Sequence, residues 1–478
     1  MSKNNFYLTT TLPYVNAKPH IGFALEIVQA DTLARYQRTL GKNVFFNFGT
    51  DEHGKKIYDK ALEENKKPQD YADEYAREFD ALKKGLNLSY DNFIRTTDKH
   101  HKEAAQEIWR RCDKNGFIKK GVYKAKYCVG CELEKTDSEL VNGRCPLHPN
   151  QDIELIEEEN YFFLFSKLRE KLLSLYKETP DFVVPQNRLK EIQNFVEAGL
   201  QDFSISRLKE KMPWGVEVPG DSEHVMYVWF DALTNYISTL GWPNDEKRFK
   251  RFWGTQEVPN ALQLAGTDNL RQQSAMWQAM LLAAKLPTSK QIFIHGFITV
   301  DGQKMSKSLG NVIDPFEYVE MYGTDAVRYF LLAKLHPFDD SDFTKEKFET
   351  AYNADLANGL GNLVARVAQL CKIYDLKVPK DSDFKFHHEI SEHLETYRFD
   401  LALSSLFERI QGQDKKINRH KLWEKSEGKR KHLIDVVMEI RQIAFDLSPF
   451  LPKTAKEIEK RFSGTEVETG DPLFPRLD

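Results

Sequence analysis

Asn5 to Thr11 reads as a strand, a helix-periodic run follows from Ile21 to Leu40, and a second strand-like run spans Asn43 to Gly49. That order predicts a β-α-β unit, with Pro13 to Pro19 as the turn before the helix and Gly41 as its stop. The same rhythm resumes with a strand at His224 to Val228, a helix at Phe230 to Leu240 and a strand at Ala261 to Ala265. A helix at Leu270 to Lys285 and a strand at Gln291 to Ile298 complete it. A β-α-β series implies a parallel, doubly wound sheet whose ligands sit at the carboxyl ends of its strands. Beyond about Thr350 strand signals stop, and Leu356, Leu360, Leu363, Val364, Val367 and Leu370 form one apolar stripe at helical spacing. The expected fold is therefore α/β, a Rossmann-like domain in two halves (1–115 and 224–349), split by an insertion (116–223) and followed by an all-α helix bundle (350–478).

Composition narrows the class of protein. At 478 residues the chain exceeds one hydrophobic core, and size alone suggests roughly three domains. Hydrophobic residues are 41% and charged ones 29%, and no apolar run approaches the ~20 residues of a membrane helix. No membrane role is expected. The amino terminus lacks the apolar stretch and small-residue cleavage site of a secretory signal, so the expected location is cytoplasmic. A net charge of -4 does not advertise a nucleic-acid binder, and any RNA contact must be local. Asp414 to Arg441, with nine Lys/Arg against five acids, is the one candidate stretch, although such a run is as often a solvated helix face.

Three segments carry chemistry. Between the first strand and its helix lies Pro13-Tyr14-Val15-Asn16-Ala17-Lys18-Pro19-His20-Ile21-Gly22-Phe23. A helix amino terminus suits a triphosphate. Gly22 would let phosphate or adenine approach the backbone, and His20 could donate to a phosphate oxygen. The second segment, Asp301 to Gly310, places Lys304 and Lys307 on a loop as a movable cationic clamp for a triphosphate. The third is Cys128-Val129-Gly130-Cys131, followed after thirteen residues by Cys145-Pro146-Leu147-His148. Its two halves supply four ligands for a tetrahedral Cys3His zinc site, and a closed set of four predicts a structural metal. Cys112 and Cys371 lie outside this cluster and are expected to be buried, inert thiols.

His20-Ile21-Gly22-Phe23 and, nearly three hundred residues later, Lys304-Met305-Ser306-Lys307-Ser308 together resemble the paired signatures of class I aminoacyl-tRNA synthetases. Within that class, Thr11 to Asn16, Gly49 to Gly54, Ser204 to Arg207 and Tyr227 to Ala232 resemble segments of methionyl-tRNA synthetases, from about Phe6 to about Pro452. The resemblance implies ATP-dependent activation of L-methionine, with Mg2+ accompanying ATP, and transfer to the 3' end of elongator and initiator tRNA(Met). It assigns the methionine ammonium to Asp51, backbone contacts to Leu12, and the side-chain pocket to Tyr14, Trp229, Ala232 and Tyr236. Aromatic walls suit a thioether, which offers no strong hydrogen-bonding group. Gly266 and Asp268 join His20, Gly22, Lys304 and Lys307 as ATP contacts, and Asn362, Arg366, Asn418 and Trp423 are assigned to the anticodon. A monomer is expected, since the chain reaches Asp478 without an obvious appended dimerising barrel.

The sequence departs from the family pattern at Phe23, Thr267 and Gln273, where histidine, lysine and histidine are usual, and at Leu233 and Leu422, where prolines are frequent. Three alternatives stand beside the main reading: another class I synthetase, a nucleotidyltransferase acting on a small carboxylate, and a zinc-containing RNA-binding protein descended from a synthetase.

Overall fold

The computed structural model describes residues 4–131, 133–305, 310–380 and 383–477. The chain divides into two compact units. The first comprises residues 1–18, 42–81 and 90–294; the second comprises 19–41, 82–89 and 295–478.

Six strands build the main sheet of the first unit: β1 (Asn5–Thr9), β2 (Asn43–Thr50), β3 (Asn92–Arg95), β4 (Val183–Val184), β5 (Ala261–Gly266) and β6 (Gln291–His295). Their order is β3-β2-β1-β5-β6-β4, with β1 paired in parallel to both β2 and β5. The chain thus leaves β1 in one direction and later returns to its other edge, which puts a topological switch point between β1 and β5. β2 is buried at seven of its eight positions, the near-continuous pattern of a strand covered on both faces. β4 comes from the expected insertion and pairs in parallel with β6. The other strands of that insertion pair antiparallel, the longest pair being Ile118–Cys128 with Glu154–Phe163, and two helices, Arg169–Glu178 and Gln186–Glu197, flank β4.

Four helices carry or adjoin the candidate site residues. Helix α1 (Ile21–Thr39) follows β1 in sequence but groups with the second unit, while α2 (Lys99–Lys114), α3 (Val228–Ala232) and α4 (Asn235–Ser238) belong to the first. The single helix expected over Phe230 to Leu240 is divided because its polar side chains bond the ladder's own acceptors. Asn235 Nδ2 donates to Ala232 O at 2.7 Å, and Thr234 Oγ1 donates to Phe230 O at 3.4 Å.

Two strand expectations are corrected. Residues Asp221–Met226 pair antiparallel with Ser206–Leu208 and Glu217–Val218 in a separate sheet, so His224 to Val228 does not extend the parallel one. A short strand-forming run does not by itself distinguish a parallel partner from an antiparallel one. The run Gln291 to Ile298 breaks at Gly296, where an added Cβ would lie 2.2 Å from the backbone of Asp339. Ile298–Val300 then joins a small sheet with Gln303–Lys304 and Ser341–Asp342.

The second unit is largely helical. Beyond Lys345 it contains α5 (Asn362–Tyr374), α6 (Phe399–Arg419) and α7 (Arg430–Leu447), preceded by a wide π-helical stretch at Tyr352–Gly361. The predicted leucine stripe is buried, from Leu356 through Leu370. α1 is fixed within this unit by a fully buried pair, Arg328 Nη1 and Asp31 Oδ2 at 2.8 Å. Arg328 also donates to the carbonyls of Phe450, Leu86 and Pro449, so each of its three nitrogens has a partner.

Candidate active site

At the carboxyl end of β1 the chain runs through Leu12 and Tyr14, and at the end of β2 through Asp51. The two ends are joined by a parallel bridge between Tyr14 and Asp51: Asp51 N donates to Pro13 O at 2.9 Å and Val15 N donates to Asp51 O at 3.2 Å. Asp51 is buried, while Leu12 and Tyr14 keep part of their surface. The Trp229 ring of α3 meets Tyr14 edge-on at 5.9 Å, and both pack on a small cluster of Tyr227, Val228 and Ala232. The structure therefore brings Tyr14, Asp51, Trp229 and Ala232 together beside the switch point.

Tyr236 of α4 is buried next to them in sequence and accepts a short hydrogen bond from Gln273 Nε2. Gln273 stands where the family usually has histidine, and it lies in a π-helical turn, Gln272–Met276. Its Oε1 accepts from Gln263 Nε2 at 3.3 Å, and Ser289 Oγ donates to Gln263 Oε1 at 2.5 Å. A chain of neutral amides and a hydroxyl thus holds the Tyr236 phenol. Gly266 ends β5 and caps a short turn that carries Asp268, which is exposed.

In the second unit, His20 is the residue that caps α1. Its backbone is extended, and its Nδ1 accepts from Gly22 N–H at 3.1 Å. That bond assigns the ring proton to Nε2. Burial lowers the imidazole from 6.5 to about 4, so it is neutral at ordinary pH. A Cβ at Gly22 would fall 2.9 Å from His20 Cε1 and 3.5 Å from Met305 Cε, which leaves no room for another side chain at the helix start. Phe23 stacks obliquely on His20 with centroids 4.4 Å apart, so the departure from histidine replaces an imidazole with a packing surface. Lys304 is exposed and its Nζ lies 5.1 Å from the centre of the Phe297 ring. Lys307 lies outside the described residues.

Cys128, Cys131, Cys145 and His148 converge as the spacing predicts, with their ligand atoms all within 4.8 Å of one another. Cys131 Sγ is 3.5 Å from Cys145 Sγ and 3.2 Å from His148 Nδ1, close to the ~3.8 Å edge of a tetrahedron drawn with zinc–sulfur bonds of about 2.3 Å. Burial would raise the Cys145 thiol, but backbone donors at Leu147 and His148 and the neighbouring cysteine side chains outweigh it and lower it. This donor set can hold a metal ion.

On the helical side, Arg366 of α5 reaches Asn418 Oδ1 on α6 at 2.7 Å and Asp414 Oδ1 at 3.5 Å. Its guanidinium also sits over Trp423, whose ring is exposed rather than in the core. Asn358 and Asn362 are exposed on the same polar face as Arg366.

Three buried residues to which the sequence alone gives no role are joined in the structure: His53, His101 and Asp231. His53 and Asp231 fall inside family-like motifs, which is the one signal that could have found them. His101 follows His100 in an ordinary helical pattern and carries none.

A doubly wound sheet with a histidine-capped helix after β1, a lysine loop after β6 and a helical carboxyl-terminal region defines a class I aminoacyl-tRNA synthetase. The family model described as tRNA synthetases class I (M) matches residues 6–155 and 150–368. The methionine–tRNA ligase of Caldanaerobacter subterraneus subsp. tengcongensis is 39% identical over 100% of this chain and 79% of its own length. That of Nostoc sp. is 40% identical over 96% of this chain and 89% of its own. Mycobacterium tuberculosis methionyl-tRNA synthetase in complex with methionyl-adenylate superposes with a TM-score of 0.90 at 32% identity, covering 99% of this chain and 100% of that one. The chain belongs to the methionine–tRNA ligases.

Proposed function

We propose that the protein activates L-methionine with Mg-ATP to methionyl-adenylate and pyrophosphate, and then transfers the methionyl group to the terminal ribose of elongator and initiator tRNA(Met) in the cytoplasm. Likeness over the whole chain to enzymes of this activity carries the reading. Among the described residues no helix is long and apolar enough to cross a membrane.

The geometry suggests how the residues would act. Asp51, its backbone held by the Tyr14 bridge, offers a carboxylate suited to anchor the methionine ammonium, and Leu12 offers backbone contacts. Tyr14 and Trp229, packed edge to face, are suited to line a site for a thioether, with Ala232 and Tyr236 proposed as its further walls. The methionine carboxylate needs no base to attack the α-phosphorus, so orientation and charge stabilisation supply most of the rate. His20, neutral and with its proton on Nε2, can donate to a phosphate oxygen as charge accumulates. Gly22 keeps the helix terminus accessible to phosphate, Gly266 and Asp268 would contact the nucleoside, and Lys304 with Lys307 would neutralise the departing pyrophosphate. Mg2+, bound with ATP, would share that neutralisation.

Cys128, Cys131, Cys145 and His148 would hold one zinc ion with a structural role, because four protein ligands leave no open position. Asn362, Arg366, Asn418 and Trp423 would read the anticodon, the amide and guanidinium groups bonding base edges and the indole supporting an unstacked base. The protein is proposed to act as a monomer. The test is charging of tRNA(Met) transcript with labelled methionine. An ATP-dependent, methionine-specific ester supports the reading, and absence of any ester with active-site-titrated enzyme refutes it.

A further inference from the structure

Asp231 is completely buried on α3, between Phe230 and Ala232. Its Oδ2 lies 2.6 Å from His53 Nδ1 and its Oδ1 lies 2.8 Å from His101 Nε2. The chain of contacts continues from His101 Nδ1 to Ser238 Oγ of α4 at 2.9 Å. His53 and His101 are themselves buried, and each comes from a different element: His53 follows β2 two residues after Asp51, and His101 lies in the first turn of α2.

A buried carboxylate must have donors on its oxygens, and here two imidazole N–H groups supply one each. The proton positions are then Nδ1–H on His53 and Nε2–H on His101. Burial alone would raise Asp231; the charge of His53 and hydrogen bonds from both rings overcome it and hold the carboxyl at about 2. The cluster is therefore directional, unlike the apolar packing of Phe230 beside Asp231 on α3.

Directionality is what α3 otherwise lacks. It has five residues and no side-chain cap, and the chain turns again at Thr234. Apolar packing of Phe230 fixes depth but tolerates sliding, and replacing buried ion clusters by apolar groups is often neutral for stability. Flanking Asp231 on this helix are Trp229 and Ala232, the two α3 residues of the thioether wall, while His53 is covalently two residues from the ammonium anchor. Methionine is flexible about its side-chain bonds, so a pocket selects one bound conformer, and with it one span from nitrogen to sulfur, only if wall and anchor keep a constant separation.

We propose that Asp231 is a positioning residue of the methionine pocket: by accepting from His53 and His101 it fixes the thioether wall of Trp229 and Ala232 against the ammonium anchor Asp51. The proposal rests on the methionine-activation reading above. It assigns to Asp231 no contact with substrate.

The experiment compares His101→Gln, which retains an N–H donor near the position of Nε2, with His101→Leu, which removes it at similar volume. Both are assayed by pyrophosphate exchange with methionine and ATP varied separately. His101→Leu should raise the methionine KM about tenfold or more, since a displacement of ~1 Å can cost up to 10²-fold. The ATP KM should stay within about twofold, and His101→Gln should recover most of the loss. Equal behaviour of the two variants, or parallel rises in both KM values, would overturn the proposal. Should His101→Leu not fold, Ser238→Ala decides, because it removes the outermost hydrogen bond of the cluster and otherwise only a 3.4 Å bond to Asn235 O within α4: a raised methionine KM at unchanged ATP KM supports the role, and an unchanged methionine KM refutes it. Methionine-dependent exchange by the parent protein is measured alongside. Its absence would refute the activation reading itself, an outcome separate from any difference among variants.

Discussion

Arg366 lies over the indole of Trp423, its guanidinium carbon 5.5 Å from the ring centroid, while its Nη2 donates to Asn418 Oδ1 at 2.7 Å. Trp423 remains 49% exposed, so it does not anchor the helical core. A half-exposed indole held by a cation is suited to stack an unstacked base, as proposed for Trp423, and loss of one such stack would cost about 1–3 kcal/mol. Trp423→Ala should lower the rate of tRNA charging about tenfold or more and leave tRNA-independent pyrophosphate exchange unchanged. Equal losses in both assays would return Trp423 to a folding role.

The metal prediction is stoichiometric. Purified protein should contain about one zinc per chain, and Cys131→Ser should lose it, because three ligands cannot close a structural tetrahedron. Elemental analysis of both proteins is the check. Full zinc content in the variant would mean that Cys131 is not a ligand.

His20 gives a pH prediction. Burial lowers its folded value from 6.5 to about 4, so as pH falls through that window the unfolded chain takes up the proton first. Folding stability therefore declines between pH 6.5 and about 4 and is insensitive to this group above pH 7. His20→Gln removes that contribution. In urea unfolding at several pH values, the parent should lose ground relative to the variant as pH falls through the window. A difference that is constant with pH would contradict the buried, neutral imidazole.

What was legible in the sequence depended on whether the signal was local. β1, α1 and β2 could be read because a buried parallel strand and a long helix have distinct periods, and the structure differs at their ends by one or two residues. The metal ligands could be read because two short spacings determine them. By contrast, the short run at His224 to Val228 reads as a strand without saying whether its partner is parallel or antiparallel, and only tertiary pairing decides. The helix expected over Leu270 to Lys285 begins with a turn and a π-helical stretch before Trp277–Ala283, because Gln273 and Gln278 are committed to a buried amide network. Asp231, His53 and His101 lie 178 and 130 residues apart across their two bonds, so no sequence window contains them.

For the lysine loop, the sequence places Lys307 three residues after Lys304, and in the proposed role its cation would meet negative charge that grows as pyrophosphate departs. Lys307→Ala should lower pyrophosphate exchange by about 10²-fold or more, with little change in thermal midpoint. An exchange rate within about a factor of two of the parent would remove Lys307 from the phosphate-binding role.

The central claim is that this protein selects and activates methionine, and amino-acid-dependent ATP–pyrophosphate exchange measured across all twenty amino acids and homocysteine tests it most directly. Methionine should give the highest kcat/KM, with homocysteine, which lacks only the S-methyl group, about 10–200-fold behind and the remaining amino acids lower still. Exchange driven best by leucine, cysteine or any other amino acid, or no exchange at all from folded protein, would contradict the account.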